Sequence, residues 1–171
     1  MKFSQWILKE STLSELYQSA VKAFPETTKR QFAIHEVKIT QLTWIPYKGM
    51  KTLFVKGIAR NQQREYNTII VFKGVKYLES GGVQLIDNTK QKYFLEQLSL
   101  DDTEVLTRCN CSDFRFRFGF YNSIDKSLFG KNFSKYESKG IRGPVNPSES
   151  PGICIHLMSL IKVLRESKIT K

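Results

Sequence analysis

The sequence predicts an α+β fold: an antiparallel β-meander with an N-terminal helix and a C-terminal helix. Three observations carry this reading. Apolar residues recur at helical spacing over residues 13–24, short strand-like segments joined by turn residues fill 33–108, and a second apolar helical stripe occupies 157–164.

The first helix is signalled by Leu13, Leu16, Tyr17, Ala20, Val21 and Phe24, which recur at i, i+3, i+4, i+7, i+8 and i+11. Thr12 and Glu15 fit a capping box, each side chain satisfying a free backbone donor at the helix start. Pro25 ends it, because the residue before a proline is pushed out of the helical region. Trp6, Ile7 and Leu8 read as a lead-in to the same core, and the helix is expected to cover one face of the sheet.

In the middle region Val37 and Ile39 alternate with Lys38 and Thr40. Pro46–Met50 reads as a turn, with Gly49 as its flexible residue. Thr52–Arg60 and Tyr66–Phe72 are strands joined by polar 61–65. Gly81-Gly82 marks the next break. Val83–Ile86, Lys92–Leu98 and Glu104–Arg108 follow as short strands, separated by Asp87-Asn88 and Asp101-Asp102. His35 lies in a strand-like segment without a neighbouring ligand and reads as structural. The last helix is expected to be capped by Ser150, with Pro151 in its first turn and Leu157, Leu160, Ile161 and Leu164 on one face. Lys162, Arg165 and Lys168 favour the negative pole of its dipole.

The chain has 171 residues, long enough for one core that covers about two-thirds of the unfolded surface. It divides into a helix-plus-sheet portion, 1–108, and a portion 109–171 that contains a long basic arm, 122–150; the two are expected to form one compact unit. Hydrophobic residues are 40% and charged residues 25% of the total, which fits a globular rather than a disordered chain. The apolar runs Ile69–Phe72 and Leu157–Val163 fall short of a membrane span, so no membrane association is expected. Met1–Lys9 has one early Lys but no apolar h-region and no small-residue cleavage site, so no secretory signal is expected.

Twenty-seven basic against 16 acidic residues leave a net charge of +11. This excess fits an acidic partner such as nucleic acid, an anionic membrane face or an acidic protein surface, and equally a solvated lysine-rich surface. Three cysteines cannot all pair within one chain, and a reducing compartment makes a metal site their leading use.

Those cysteines carry the chemistry. Cys109-Asn110-Cys111 sits at a predicted strand end, and Cys154-Ile155-His156 opens the last helix, after a gap of 42 residues. An extended segment aims residues i and i+2 the same way, so the two pairs can converge. Three thiolates and one imidazole suit zinc in a closed tetrahedron, which makes the site structural rather than catalytic. The helix dipole and Arg108 are expected to offset the net negative charge. The competing reading, three buried cysteines and a surface histidine, does not explain the paired spacing. A Cys109–Cys111 disulfide would have to close a very tight loop.

The pattern Cys-x-Cys…Cys-x-His resembles the SWIM-type zinc finger, found in proteins that bind DNA or other proteins. The longer string from Cys109 through Asp113, Phe114, Arg115, Phe116, Arg117 and Phe118, then Asn146-Pro147 and Pro151-Gly152-Ile153-Cys154-Ile155-His156-Leu157, is similar to small uncharacterised or structural proteins of tailed bacteriophages. The resemblance covers 109–121 and 144–160. It implies Cys109, Cys111, Cys154 and His156 as zinc ligands and a place in a phage virion, with synthesis in the host cytoplasm. Two departures stand out. The gap is long for a SWIM finger, so the intervening segment should be a separate excursion, and Ile155 stands where the phage pattern often has Lys.

In Asp113–Tyr121, phenylalanines alternate with Arg115, Arg117 and Gly119, which fits a strand with one aromatic and one basic face. Phe114, Arg117, Phe118 and Tyr121 also fit one helical face, and both readings stand. The aromatics read as apolar wrapping for the metal site or as a base-stacking platform. The arginines read as clamps for Asp113, an acidic partner or a phosphate. Arg115, Arg117, Lys126, Lys131, Lys135, Lys139 and Arg142 are therefore candidate contacts to nucleic acid or protein partners.

No Gly-rich phosphate loop, nucleophile triad or H-E-x-x-H is present, and Asp101, Asp102 and Glu104 lack a companion base, so no enzyme is expected. The leading expectation is a virion structural protein (neck, connector, baseplate or capsid-associated) that binds other virion proteins within an oligomeric assembly. The alternative is a basic zinc-finger accessory protein that binds nucleic acid.

Overall fold

The computed structural model describes residues 10–28, 36–62, 64–141 and 143–171. Trp6, Ile7, Leu8, His35 and Arg142 lie outside them. The fold is α+β. Helix α1 spans Leu13–Ala23, and the strands are β1 Lys38–Tyr47, β2 Thr52–Asn61, β3 Arg64–Phe72, β4 Tyr77–Leu78, β5 Val83–Ile86, β6 Lys92–Leu95 and β7 Val105–Cys109. Helix α2 begins with a π-helical turn, Phe114–Phe118, and continues as α-helix over Gly119–Ile124; α3 spans Ile155–Glu166.

Helix α1 starts as its sequence dictates. The Thr12 hydroxyl accepts from Glu15 N–H at 3.2 Å, and the Glu15 carboxylate accepts from Thr12 N–H at 2.9 Å. Leu13, Leu16 and Ala20 are buried.

The strands form two sheets rather than one continuous meander. β1-β2-β3-β7 is a four-stranded antiparallel sheet, and β4-β6-β5 a three-stranded one. β1 to β3 are consecutive hairpins. The chain then leaves to build the small sheet and returns with β7 against β3. Gly82 makes that excursion compact: it sits at φ +66°, and a Cβ there would lie 2.3 Å from the Leu95 carbonyl oxygen. Tyr77 links the sheets by donating its hydroxyl to the Thr52 carbonyl at 2.6 Å, and burial pushes that phenol up to about 12.

Some boundaries depart from the sequence pattern. β1 continues through Pro46 and Tyr47, and the turn is a 3-10 segment, Lys48–Met50. Its left-handed residue is Lys51, at φ 51°, not Gly49. β6 ends at Leu95, because Leu98 leaves to pair with the C-terminal segment at Thr170. Asp101 and Asp102 occupy a closed turn around Ser99, whose hydroxyl donates to Asp102 at 2.7 Å.

One face of the main sheet is apolar by strict alternation. Leu53, Val55 and Ala59 of β2 and Ile70 and Phe72 of β3 are fully buried. Helix α3, not α1, lies across this face, contacting β1, β2, β3 and β7. Its Leu157, Leu160 and Leu164 are fully buried, each stabilising the fold by about 1.5–3 kcal/mol. The reason is placement: α3 starts at Cys154, within the cluster at the end of β7. Phe24 meets Phe118 edge-on at 5.6 Å, and the Ser19 hydroxyl donates to the Pro151 carbonyl at 2.7 Å.

Candidate metal centre

Cys109 closes β7 with its side chain on the buried face, 1% exposed. Two residues later Cys111 turns back inward. Its sulfur accepts the Phe114 N–H at 3.2 Å, and its carbonyl accepts the Arg115 N–H at 3.1 Å. Cys111 thereby serves the free donors at the start of α2. This local geometry decides between the two readings of 113–121. The segment is helical, and Asp113 and Arg117 form an i,i+4 ion pair at 3.1 Å that an extended strand would separate.

Phe114 and Phe118 are completely buried, while Phe116 is 37% exposed. The aromatic run is thus split between core and surface. Arg117 is 8% exposed and lies 4.3 Å from the Phe24 ring, so it clamps Asp113 and α1 rather than facing a partner. Burial pushes the Asp113 carboxyl up, and Arg117 opposes that shift.

The second pair arrives on an extended strap. Ser150 and Pro151 lie before α3, and its N-cap is Cys154; the sequence pattern placed the start too early. Gly152 explains the difference. A Cβ there would meet Phe118 ring atoms at 2.7 and 2.8 Å and the Ala20 Cβ at 3.0 Å, so the strap is pressed between α1 and α2 and cannot coil. The strap is also held by Asn122 of α2. Its amide donates to the Gly152 carbonyl at 2.9 Å and to the Thr107 hydroxyl at 3.3 Å, and it accepts the Gly152 N–H at 2.8 Å. Asn146 does the same work for the π turn, donating to the Arg117 carbonyl at 2.9 Å and to the Ser150 carbonyl at 2.8 Å. A π turn leaves carbonyls without their usual i+4 partner, and Asn146 supplies one.

The result is a buried cluster. The ligand atoms of Cys109, Cys111, Cys154 and His156 all lie within 4.8 Å of one another. His156 Nδ1 is 3.9 Å from both Cys109 Sγ and Cys154 Sγ. Tetrahedral donors about 2.0–2.3 Å from a common ion would be separated by slightly less than this. His156 Nε2 is buried without a hydrogen-bond partner among the described residues, and the imidazole packs on Tyr66 at 4.2 Å.

Charge chemistry also fits a cation. Hydrogen bonds from Cys109 and Cys154 push the Cys111 thiol well down, while the Cys111 hydrogen bond pushes Cys109 up and burial pushes Cys154 up. Burial and mutual repulsion therefore oppose having all three sulfurs ionised at once. A dication at their centre lets all three deprotonate. The four residues can hold a metal ion.

Arg108 takes no part in that balance. It alternates with Cys109 along β7 and faces the other side of the sheet, where its Nη1 donates to the Phe129 and Lys131 carbonyls at 2.7 and 2.9 Å. Arg115, Lys126, Lys131, Lys135 and Lys139 are exposed and stand apart from the metal cluster. Lys135 is tied to Glu149 at 2.7 Å.

Sequence reasoning did not assign Asn122, Asn146 or Tyr66. Asn122 had a readable signal: it follows Phe114 and Phe118 at i+4 steps, a polar residue on an otherwise buried helical stripe. Asn122→Ala is expected to destabilise the fold by about 2–3 kcal/mol, because both polar groups of Gly152 are left buried without partners. Urea unfolding monitored by tryptophan fluorescence measures this; a change below about 0.5 kcal/mol would show that the strap does not need the clamp.

No family model matches the chain, and neither a curated protein nor a solved structure shows significant similarity to it. Fold and site together define a class: an α+β protein whose last helix is joined to a sheet end by a buried Cys3His cluster able to hold a metal ion.

Proposed function

We propose that this protein is a non-enzymatic structural component of a tailed-bacteriophage virion, stabilised by one structural zinc. The observation that carries the zinc reading is the closed donor set. Three thiolates and an imidazole, buried and close together, suit zinc, and four protein donors would complete its usual tetrahedron with no position for a substrate or a reactive water. The centre joins the neighbouring ends of β7 and α2 to α3, whose ligand pair follows after a gap of 42 residues, so its role is to hold the module together. The virion reading comes from the resemblance of 109–121 and 144–160 to tailed-phage proteins. Asn146 and Gly152, both inside that signature, have clear mechanical roles around the centre.

The partners are other virion proteins. The arm 122–150 and the exposed Tyr47, Met50 and Ile141 are the surfaces such neighbours would cover, within an oligomeric assembly. No helix among the described residues is long and apolar enough to cross a membrane. Mass spectrometry of particles purified from a lysate of the encoding phage tests the proposal. The protein is expected at stoichiometric copy number after density-gradient banding; its absence from banded particles would overturn the virion role.

A further inference from the structure

A cleft of about 380 Å³ opens between α2 and the arm, with Arg108 reaching it from the face of β7 opposite Cys109. Its size falls in the range of ligand-binding clefts, about 300–1,000 Å³. Phe116 and Tyr136, residues 37% and 44% exposed, line it with ring centroids 4.6 Å apart and planes tilted by 43°. Arg115, Lys131 and Lys135 line the same cleft, together with Arg108, and among the described residues no acidic one does.

The cleft is built rather than incidental. The two carbonyls that Arg108 holds belong to the arm, and its guanidinium lies 4.4 Å from the Phe133 ring. Phe133 in turn seats on Gly119, where a Cβ would come within 2.4 Å of the ring. The arm wall is therefore anchored on β7 and on α2. Arg108 is a positioning residue here. Arg115 makes no ion pair among the described residues, and neither does Lys131.

We infer that this cleft binds a single strand of nucleic acid, with a base stacked on Phe116 and Tyr136 and the flanking phosphates held by Arg115 and Lys131. Exposed aromatic faces distinguish this occupant from the others a basic surface attracts. An acidic peptide uses the cations but not the rings, and a duplex cannot present an unstacked base to them. Exposed Lys126 and Lys139 on the same arm extend the positive track, and the net charge of +11 draws a polyanion from a distance. The inference depends neither on the metal's identity nor on the virion role.

Fluorescence anisotropy with the full-length protein tests it, using a labelled oligothymidylate of about 20 nucleotides, a duplex of equal length and a polyglutamate peptide. The single strand is expected to bind tightest, with affinity falling steeply between about 50 and 200 mM salt. Phe116→Ala and Tyr136→Ala are each expected to weaken it roughly tenfold. Lys131→Gln is expected to flatten the salt slope by about one phosphate contact. Lys92→Gln, on the small sheet, is expected to change nothing. Metal content and circular dichroism report whether each variant is folded, and Tyr136, on the exposed arm, keeps the test decisive if Phe116→Ala unfolds. The inference is overturned by no binding at low salt, by equal affinity for duplex or polyglutamate, or by an unchanged affinity in Tyr136→Ala.

Discussion

Cys154→Ser is expected to abolish metal uptake and to destabilise the protein by more than about 4 kcal/mol, the range reached when a structural metal is lost. The substitution is a clean probe. Cys154 is the N-cap of α3, and its carbonyl accepts the Met158 N–H at 3.0 Å. Serine is itself a favoured N-cap, so the helix start is preserved while a buried thiolate donor is removed. The three remaining donors cannot close the tetrahedron, and of the pair that ties α3 to β7 only His156 is left. Elemental analysis should give one zinc per wild-type chain and almost none in the variant. Acid should act in the same direction. Metal binding requires deprotonated thiols, so the stabilisation is full at neutral pH and above and disappears as pH falls and protons displace the ion. A wild-type unfolding curve that is unchanged by a strong chelator would contradict a structural metal.

Phe118→Ala is expected to cost about 3–5 kcal/mol, as for other fully buried aromatic side chains. Phe118 is 0% exposed and stands where three pieces of chain meet. It packs edge-on against Phe24 beyond the end of α1, lies in the π turn of α2, and fills the space left by the missing side chain of Gly152. Truncation opens a cavity at that junction, and the strap that delivers Cys154 and His156 loses its floor. Metal affinity should therefore fall along with stability. Phe116→Ala, two residues away, is expected to change stability by no more than about 0.5 kcal/mol, since its ring faces the cleft. Denaturant midpoints for the pair at constant m-value distinguish the two. Equal losses would mean that the helical assignment of 114–118 is wrong, because a strand would place both rings on one face.

That contrast shows how much of the molecule was legible beforehand. Helix α1 is local: the Thr12–Glu15 box, the apolar spacing and Pro25 are all within a few residues, and all act as expected. β2, β3 and β5 follow from alternation and turn residues in the same way. The four residues of the Cys/His cluster were legible from spacing alone. The run 114–120 was not, because period two and a helical period fit it equally well. Cys111 resolved it by capping the first turn with its sulfur. Arg108 was misjudged for a related reason, whereas for Arg117 the clamp on Asp113, one of the readings the sequence offered, is the one the fold uses. A charge count does not say on which side of a strand or helix an arginine falls.

Local rules, then, were enough for the cysteine and histidine pairs, the capped first helix and the strand hairpins, since hydrogen bonding and apolar periodicity within a short window specify them. The split into two sheets, the late start of α3 at Cys154, its lodging across the main sheet in place of α1, and the Asn122 and Asn146 clamps came from the packed fold. Each depends on surfaces brought together across tens of residues, and contacts of that kind set the energy of a segment without leaving a pattern in it.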